Sequence, residues 1–275
     1  MVYKTGLLLV TLLVGSLALP MPEGDFFSDN ISSRIVGGTV AAVGSHPHMV
    51  ALTRGLLVRS AFCGASLISP RTVLTAAHCV TGVISGSTVN SQLRVVVGTN
   101  RWNSGGTEHR VSRGVIHPSY DASNIKSDIA ILNTESAIAL NNRVGTVTVS
   151  YNNVGGGVPV LAAGWGATRA SGPVQSDLLE VRVTTLSGTQ CENDMRRFQT
   201  TTNRRIPPID SRVELCTFHS RGQGTCQGDS GSALRRIDNG QQVGIVSWGY
   251  PCAQGAPDVF VRVSSFETFI RANTM

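Results

Sequence analysis

An all-β fold is predicted by three observations: a glycine-rich and weakly charged composition, short β-branched runs bounded by turn residues, and a single convincing helical pattern. The chain of 275 residues is 41% hydrophobic and 15% charged, with 30 glycines. That profile suits a turn-rich globular protein and is the reverse of disorder, which needs low hydrophobicity and high charge. The runs Leu93–Val97, Val158–Leu161, Val181–Thr184, Val243–Val246 and Val259–Val263 are rich in β-branched residues and flanked by Gly, Pro, Asn or Ser. Many short strands with frequent turns build sandwiches or barrels. The helix closes the chain: Ser264 and Glu267 have capping-box spacing, and Phe266, Phe269 and Ile270 recur on one helical face. Gly98–Gly106 reads as a loop, as does Glu192–Arg212, which carries five arginines and two prolines.

The first 20 residues read as a secretory signal peptide. Lys4 precedes an apolar run from Gly6 to Leu19, with small residues Gly15, Ser16 and Ala18 ahead of Pro20. The run is short for a membrane span, and no other segment approaches the ~20 apolar residues a spanning helix needs. A secreted, extracellular protein without a membrane partner is therefore expected. Residues 21–34 form a short polar stretch with Glu23, Asp25 and Asp29, in which Asn30-Ile31-Ser32 is a glycosylation acceptor pattern. The composition changes at Ile35-Val36-Gly37-Gly38, where a single domain, 35–275, begins.

Six cysteines agree with an oxidising compartment: Cys63, Cys79, Cys191, Cys216, Cys226 and Cys252. Six cysteines allow 15 pairings. Sequence order invites the local bridges 63–79, 191–216 and 226–252. None forms a C-x-x-C pair, which leaves a zinc site little support. His46-x-His48 has the spacing of a strand metal pair but lacks acidic neighbours in sequence, so no metal and no cofactor are expected. The formal charge is +6, and arginine supplies nearly all the positive charge, the lysines being Lys4 and Lys126 alone. Two readings stay open: compositional bias, or adaptation to alkaline surroundings, where lysine loses its charge near pH 10.4 and arginine does not. The arginines are scattered without an aromatic-interleaved stripe, which argues against nucleic-acid binding.

Four motifs carry chemistry. Thr75-Ala76-Ala77-His78-Cys79 sets a histidine beside a cysteine, and Asp128-Ile129-Ala130-Ile131-Leu132 sets an aspartate at the head of an apolar strand. Gly228-Asp229-Ser230-Gly231 sets a serine between glycines, and Ser247-Trp248-Gly249 ends the strand that follows. A serine hydroxyl attacks a carbonyl effectively only when a base takes its proton. Imidazole suits that task, because its pKa lies near working pH and it can pass the proton on to a leaving amine. A buried carboxylate then fixes the imidazole tautomer.

In this order the motifs resemble those of the chymotrypsin-like serine protease family, and the resemblance runs from Ile35 to the C-terminus. It implies two six-stranded antiparallel β-barrels, about 35–150 and 151–275, with the active site in the cleft between them and a C-terminal helix. It implies that His78, Asp128 and Ser230 form a catalytic triad and that the N–H groups of Gly228 and Ser230 form the oxyanion hole. It further implies an inactive precursor cut at Arg34-Ile35 by a trypsin-like protease, freeing an Ile35 ammonium that pairs with Asp229. No carboxylate cluster resembles the family's calcium loop. Expected partners are protein or peptide substrates, the activating protease and protein protease inhibitors, with the enzyme itself a monomer.

The implied primary pocket includes Gly224, Thr225, Gln227, Ser247, Trp248, Gly249 and Asp258. Trypsin-like members carry an aspartate where this chain has Gly224, so plain trypsin specificity is not expected. Gly249 leaves room for large side chains. Asp258 on the wall gives a pattern similar to the broad-specificity arthropod brachyurins, unless its side chain turns away. The continuation Gly231-Ser232-Ala233-Leu234 departs from the family's Gly-Gly-Pro-Leu and predicts altered packing. Extracellular digestion, in the gut lumen, is the expected role. The rivals are a narrow regulatory protease of body fluid or reproductive tissue, and a non-catalytic homologue, which the intact triad disfavours.

Overall fold

Alternating and fully buried apolar strands dictate the architecture. The structure is a computed structural model that describes residues 35–55, 58–86, 88–250 and 252–275. The expected signal peptide, the segment 21–34 with Asn30, and Arg34 itself lie outside the described residues. In chain order the strands are β1 (Thr39–Val40), β2 (Met49–Arg54), β3 (Ser60–Ser69), β4 (Thr72–Thr75), β5 (Ile84–Ser85), β6 (Thr88–Val89), β7 (Arg94–Val97), β8 (Thr107–Ile116) and β9 (Ala130–Thr134). The second half adds β10 (Pro159–Gly164), β11 (Leu179–Thr185), β12 (Glu214–Phe218), β13 (Ala233–Arg236), β14 (Gln242–Gly249) and β15 (Asp258–Arg262).

Strands β2-β3-β4-β9-β8-β7 close into one antiparallel barrel. A second sheet runs β1-β11-β10-β13-β14-β15-β12, and pairing of β11 with β12 closes its six longer strands, leaving β1 as an outer edge on β11. Closure removes the unpaired edges that would template aggregation. The first barrel is filled by residues such as Val50, Leu52, Leu67, Leu74, Val95 and Ile131, and the second by Val160, Leu179, Leu215, Leu234 and Phe260. Burying a large aliphatic or Phe side chain contributes about 1.5–3 kcal/mol. Disulfides join Cys63–Cys79, Cys191–Cys216 and Cys226–Cys252, the pairs that sequence order invites.

The terminal helix leaves the second barrel and packs on the first. Ile270 of α3 (Glu267–Asn273, numbered after α1 and α2 below) is buried in the first core, and His117 sits edge-on between Phe266 and Phe269 at 5.0 and 4.9 Å. The capping box does not form. The chain enters through a 3-10 turn, Val263–Phe266, without a side-chain cap, and Glu267 instead pairs with Arg271 at 2.7 Å.

The loop reading of Glu192–Arg212 is also corrected in its first half. After the one-turn helix α1 (Ala77–Val80), a second helix α2 spans Gly188–Thr202. Ser187 caps it by accepting the Gln190 N–H at 3.2 Å, and Asn203 ends it in the left-handed conformation at φ 53°. Cys191 and Met195 are buried along its inner face, with half-buried Phe198 one turn further on. The prolines 207 and 208 lie beyond the cap and so do not interrupt it. Among the described residues no helix is long and apolar enough to cross a membrane.

Candidate active site

The first barrel supplies a histidine and an aspartate. His78 lies in α1, directly after β4, and its neighbour Cys79 is tied to Cys63 of β3. Asp128 precedes β9 in a loop bent by Ile125 and Ser127, both at positive φ. Such conformations are costly for side chains with a Cβ and persist where the surroundings over-determine them. The bend buries the Asp128 carboxylate to 1% exposure and turns it onto His78. Oδ1 accepts the His78 backbone N–H at 2.8 Å, and Oδ2 lies 2.7 Å from His78 Nδ1. A carboxylate can only accept, so Nδ1 carries the proton and Nε2 keeps a free lone pair.

The third donor to Asp128 comes from the other barrel: Ser247 Oγ of β14 donates to Oδ2 at 2.6 Å. Ser247, expected as a pocket wall, therefore also joins the two barrels at the carboxylate.

Ser230 sits in the tight turn before β13. Its carbonyl accepts the Gly64 N–H of β3 at 2.8 Å, and the Gly64 carbonyl accepts from Thr75 Oγ1 at 2.9 Å. The first barrel thus fixes the backbone of the serine. Gly64 leaves no room for a side chain, since a Cβ there would stand 1.9 Å from Ser232 Oγ. Ser232 is fully buried with its hydroxyl unpartnered among the described residues. His78 Nε2 and Ser230 Oγ are not hydrogen-bonded to each other among the described residues. Contacts of this kind commonly tighten only when substrate binds.

Gly228 has φ +98°, and a Cβ would lie 2.8 Å from Val174 and 3.1 Å from Gly166. Only glycine fits there. The N–H groups of Gly228 and Ser230 donate to no backbone or side-chain acceptor among the described residues, in a turn where Asp229 N and Gly231 N are both bonded.

Asp229 points away from that turn into the protein. Its oxygens accept the N–H groups of Gly166 at 2.8 Å and Cys226 at 2.9 Å. Burial pushes its carboxyl up to about 6, against the opposing pull of those two bonds. Ile35 is 1% exposed in the second core, and the Val36 carbonyl accepts the Gly224 N–H at 3.1 Å. The residues after the expected cleavage point are therefore already seated beside the turn.

Next to Ser230 opens a cleft of about 210 Å³, lined by Thr225, Gln227, Ser247, Trp248, Gly249 and Asp258 among others. Gly224 lies behind Asp258 and not on the lining. A Cβ on Gly224 would stand 2.5 Å from Asp258 Oδ2, so the carboxylate occupies the space that a side chain at 224 would take. Asp258 faces the cleft, accepts the Thr225 N–H at 2.6 Å, and is pushed by burial up to about 7, with the charge of Asp229 adding to the rise.

Two residues went unrecognised in the sequence. Glu214 of β12 is buried, and its Oε1 accepts the Trp248 indole N–H at 2.8 Å and pairs with Lys126 Nζ at 2.7 Å. Lys126 also lies 5.2 Å from the Trp248 ring centroid. The lone lysine of the described residues thus spans both barrels to hold the cleft-wall indole. A separation of 88 residues hides that pair from any local pattern. His46 and His48 form no metal pair: His46 lies 2.6 Å from Glu180 and 2.9 Å from Arg235, which occupies both its ring nitrogens.

Comparison with known proteins agrees with this geometry. The family model described as Trypsin matches residues 35–270. The chain is 37% identical over 251 residues to "Trypsin, alkaline B" of Manduca sexta, covering 88% of this chain and 91% of that one. It is 34% identical over 242 residues to "Chymotrypsin-2" of Vespa crabro, covering 88% of this chain and 100% of the relative. To "Trypsin delta" of Drosophila erecta it is 30% identical over 256 residues, covering 92% of each. A double barrel with this His–Asp pair and glycine-flanked serine, matched along nearly its whole domain, belongs to the trypsin family of serine endopeptidases.

Proposed function

We propose that the protein is a secreted digestive endopeptidase, made as a precursor and activated at Arg34-Ile35, that cuts after both large apolar and basic residues. His78 Nε2 takes the Ser230 proton as Oγ attacks the scissile carbonyl, then delivers it to the departing amine. Asp128 holds the tautomer and stabilises the imidazolium. Gly228 and Ser230 donate their free N–H groups to the oxyanion, and losing one such donor typically costs ~100- to 1,000-fold in rate. Water then resolves the acyl-enzyme by the same base. No cofactor takes part in these steps.

Cleavage after Arg34 by a trypsin-like protease turns the Ile35 N–H into an ammonium. The buried Asp229 carboxylate is its partner, since an unpaired buried charge is costly. Their pairing fixes the turn that carries both oxyanion donors.

The observation that carries the specificity is the Asp258 carboxylate standing where a residue 224 side chain would be. The cleft takes Phe, Tyr or Leu with Asp258 in either form, and with Asp258 ionised it also receives Arg or Lys. The arginine-rich composition, together with the name "alkaline" on a Manduca sexta relative, supports work at alkaline pH, where Asp258 is charged. A peptide panel varying only the residue before the scissile bond tests the reading on the Arg34-cleaved enzyme. Turnover after Phe, Leu and Arg is expected at pH 9. Turnover after apolar residues alone overturns the role of Asp258, and a Ser230→Ala variant that still cleaves overturns the triad.

A further inference from the structure

Beyond Tyr250, which also lines the primary cleft, lies a second and larger cavity of about 840 Å³. One wall is the outer face of α2 with its continuation to Arg204, and the other comprises Arg221 and the segment from Gln254 to Pro257. Its base is aromatic: Phe198 and Tyr250 pack with ring centroids 4.7 Å apart. Three arginines face it, and among the described residues Asp194 is its single acid. Asp194 is engaged by Arg197 at 3.5 Å. Arg204 lies 5.0 Å over the Tyr250 ring, and the Arg221 stem runs 3.2 Å from where a Gly255 Cβ would be. Stacking holds the guanidinium of Arg204 at the mouth without consuming its hydrogen-bond donors.

We propose that this cavity is an additional substrate site that takes acidic side chains of the polypeptide being cut, three to five residues before the scissile bond. The inference rests on the endopeptidase reading above. Ser230, Ser247, Trp248 and Gly249 line the primary cleft together with Tyr250, which is the wall the two cavities share. On this proposal the residue before the scissile bond fills the cleft, and the preceding residues pass along that lining and over Tyr250. Size fits as well, since a few side chains fill a cavity of this volume. Guanidinium groups in a fork geometry favour carboxylates over neutral polar groups.

Matched peptides test this, sharing the residues around the scissile bond and carrying Asp-Glu or Asn-Gln three to five positions before it. With the cleaved wild-type enzyme, the acidic peptide should show about fivefold higher kcat/KM, as befits partly exposed ion pairs of up to about 1 kcal/mol. The gain should appear in KM and shrink at 0.5 M salt, where screening acts over a few ångströms. Placing the acids after the scissile bond should give no gain. In Arg204→Gln and Arg221→Gln the acidic-to-neutral ratio should fall toward one, with active sites counted by a covalent serine reagent. Equal turnover of the two peptides by the wild type, or a ratio untouched by both substitutions, overturns the proposal. Failure to cleave either peptide, or a short one lacking the extension, overturns the endopeptidase reading itself and this proposal with it.

Discussion

Two regions of the molecule bury aspartates in opposite ways. In the cleft between the barrels, Asp128 receives three hydrogen bonds, two from His78 and one from Ser247. Its partners are all in place, and the His78 tautomer follows from them. Beneath the substrate cleft, Asp229 and Asp258 are also buried, yet among the described residues Asp229 accepts two backbone N–H groups and Asp258 is bonded by the Thr225 N–H and side chain, with no cation on either. Burial pushes them up to about 6 and about 7. The contrast separates a finished acceptor from two carboxylates that have no cation among the described residues. In the function proposed above, cleavage supplies one cation, the Ile35 ammonium, and a substrate side chain supplies the other.

The largest effect should come from spoiling the finished site. Asp128→Asn presents an amide donor to His78 and favours the wrong tautomer, and kcat should fall about 10⁴-fold with KM little changed. A loss of less than tenfold would mean that the three bonds at Asp128 do not govern His78.

Asp258 comes next. Asp258→Asn should lower kcat/KM for Arg peptides at pH 9 about 100-fold, in line with the 2–5 kcal/mol lost when a buried charge pair loses one partner. Turnover after Phe should persist. Equal losses for both substrates would reduce Asp258 to a structural residue.

The activation region is tested through stability. The Asp229 pKa in the uncleaved chain is raised above its unfolded value near 3.8, so the native state binds the proton more tightly than the unfolded state. Its contribution is fully present below about pH 4 and is lost as pH rises through about 6. Cleavage should restore it by supplying a cation. On a Ser230→Ala background, which prevents self-digestion, urea unfolding at pH 8 should find the cleaved form more stable by roughly 3 kcal/mol. The gap should close toward pH 4. Asp258 titrates in both forms and cancels from that difference. A pH-independent gap would break the link between Asp229 and the new amino terminus.

The smallest effect concerns the clamp on Trp248. Lys126→Met leaves Glu214 buried without its cation and frees the indole. KM for extended peptides should rise severalfold while kcat for a short ester stays close to the wild-type value. Lys126→Arg should recover most of the loss. A kcat effect of equal size on both substrates would point to general destabilisation.

The legible parts of this molecule were those encoded locally. His78, Asp128 and Ser230 each sit in a short motif whose residue types the chemistry requires, and the three bridges follow sequence order. The β-branched runs gave strands because each fills a barrel core. Helix α2 was hidden by its charged outer face and the nearby prolines, although Ser187, the Cys191–Met195–Phe198 stripe and Asn203 mark its ends and inner side. Ser264 and Glu267 misled in the other direction, because the 3-10 turn that lays Phe266 on His117 displaces the cap. The Lys126–Glu214 pair and the approach of Asp258 to Gly224 depend on barrel closure between distant strands, which no local spacing records.

The central claim is that the Asp258 charge sets the primary specificity, and one measurement tests it most directly. The ratio of kcat/KM for matched Arg and Phe peptides should be followed from pH 5.5 to 9. Steps common to both substrates cancel, so the ratio reports the free enzyme's cleft. It should rise about tenfold per pH unit below pH 7 and level off above, because Asp258 ionises at about 7. A ratio that stays flat across that range would contradict the account.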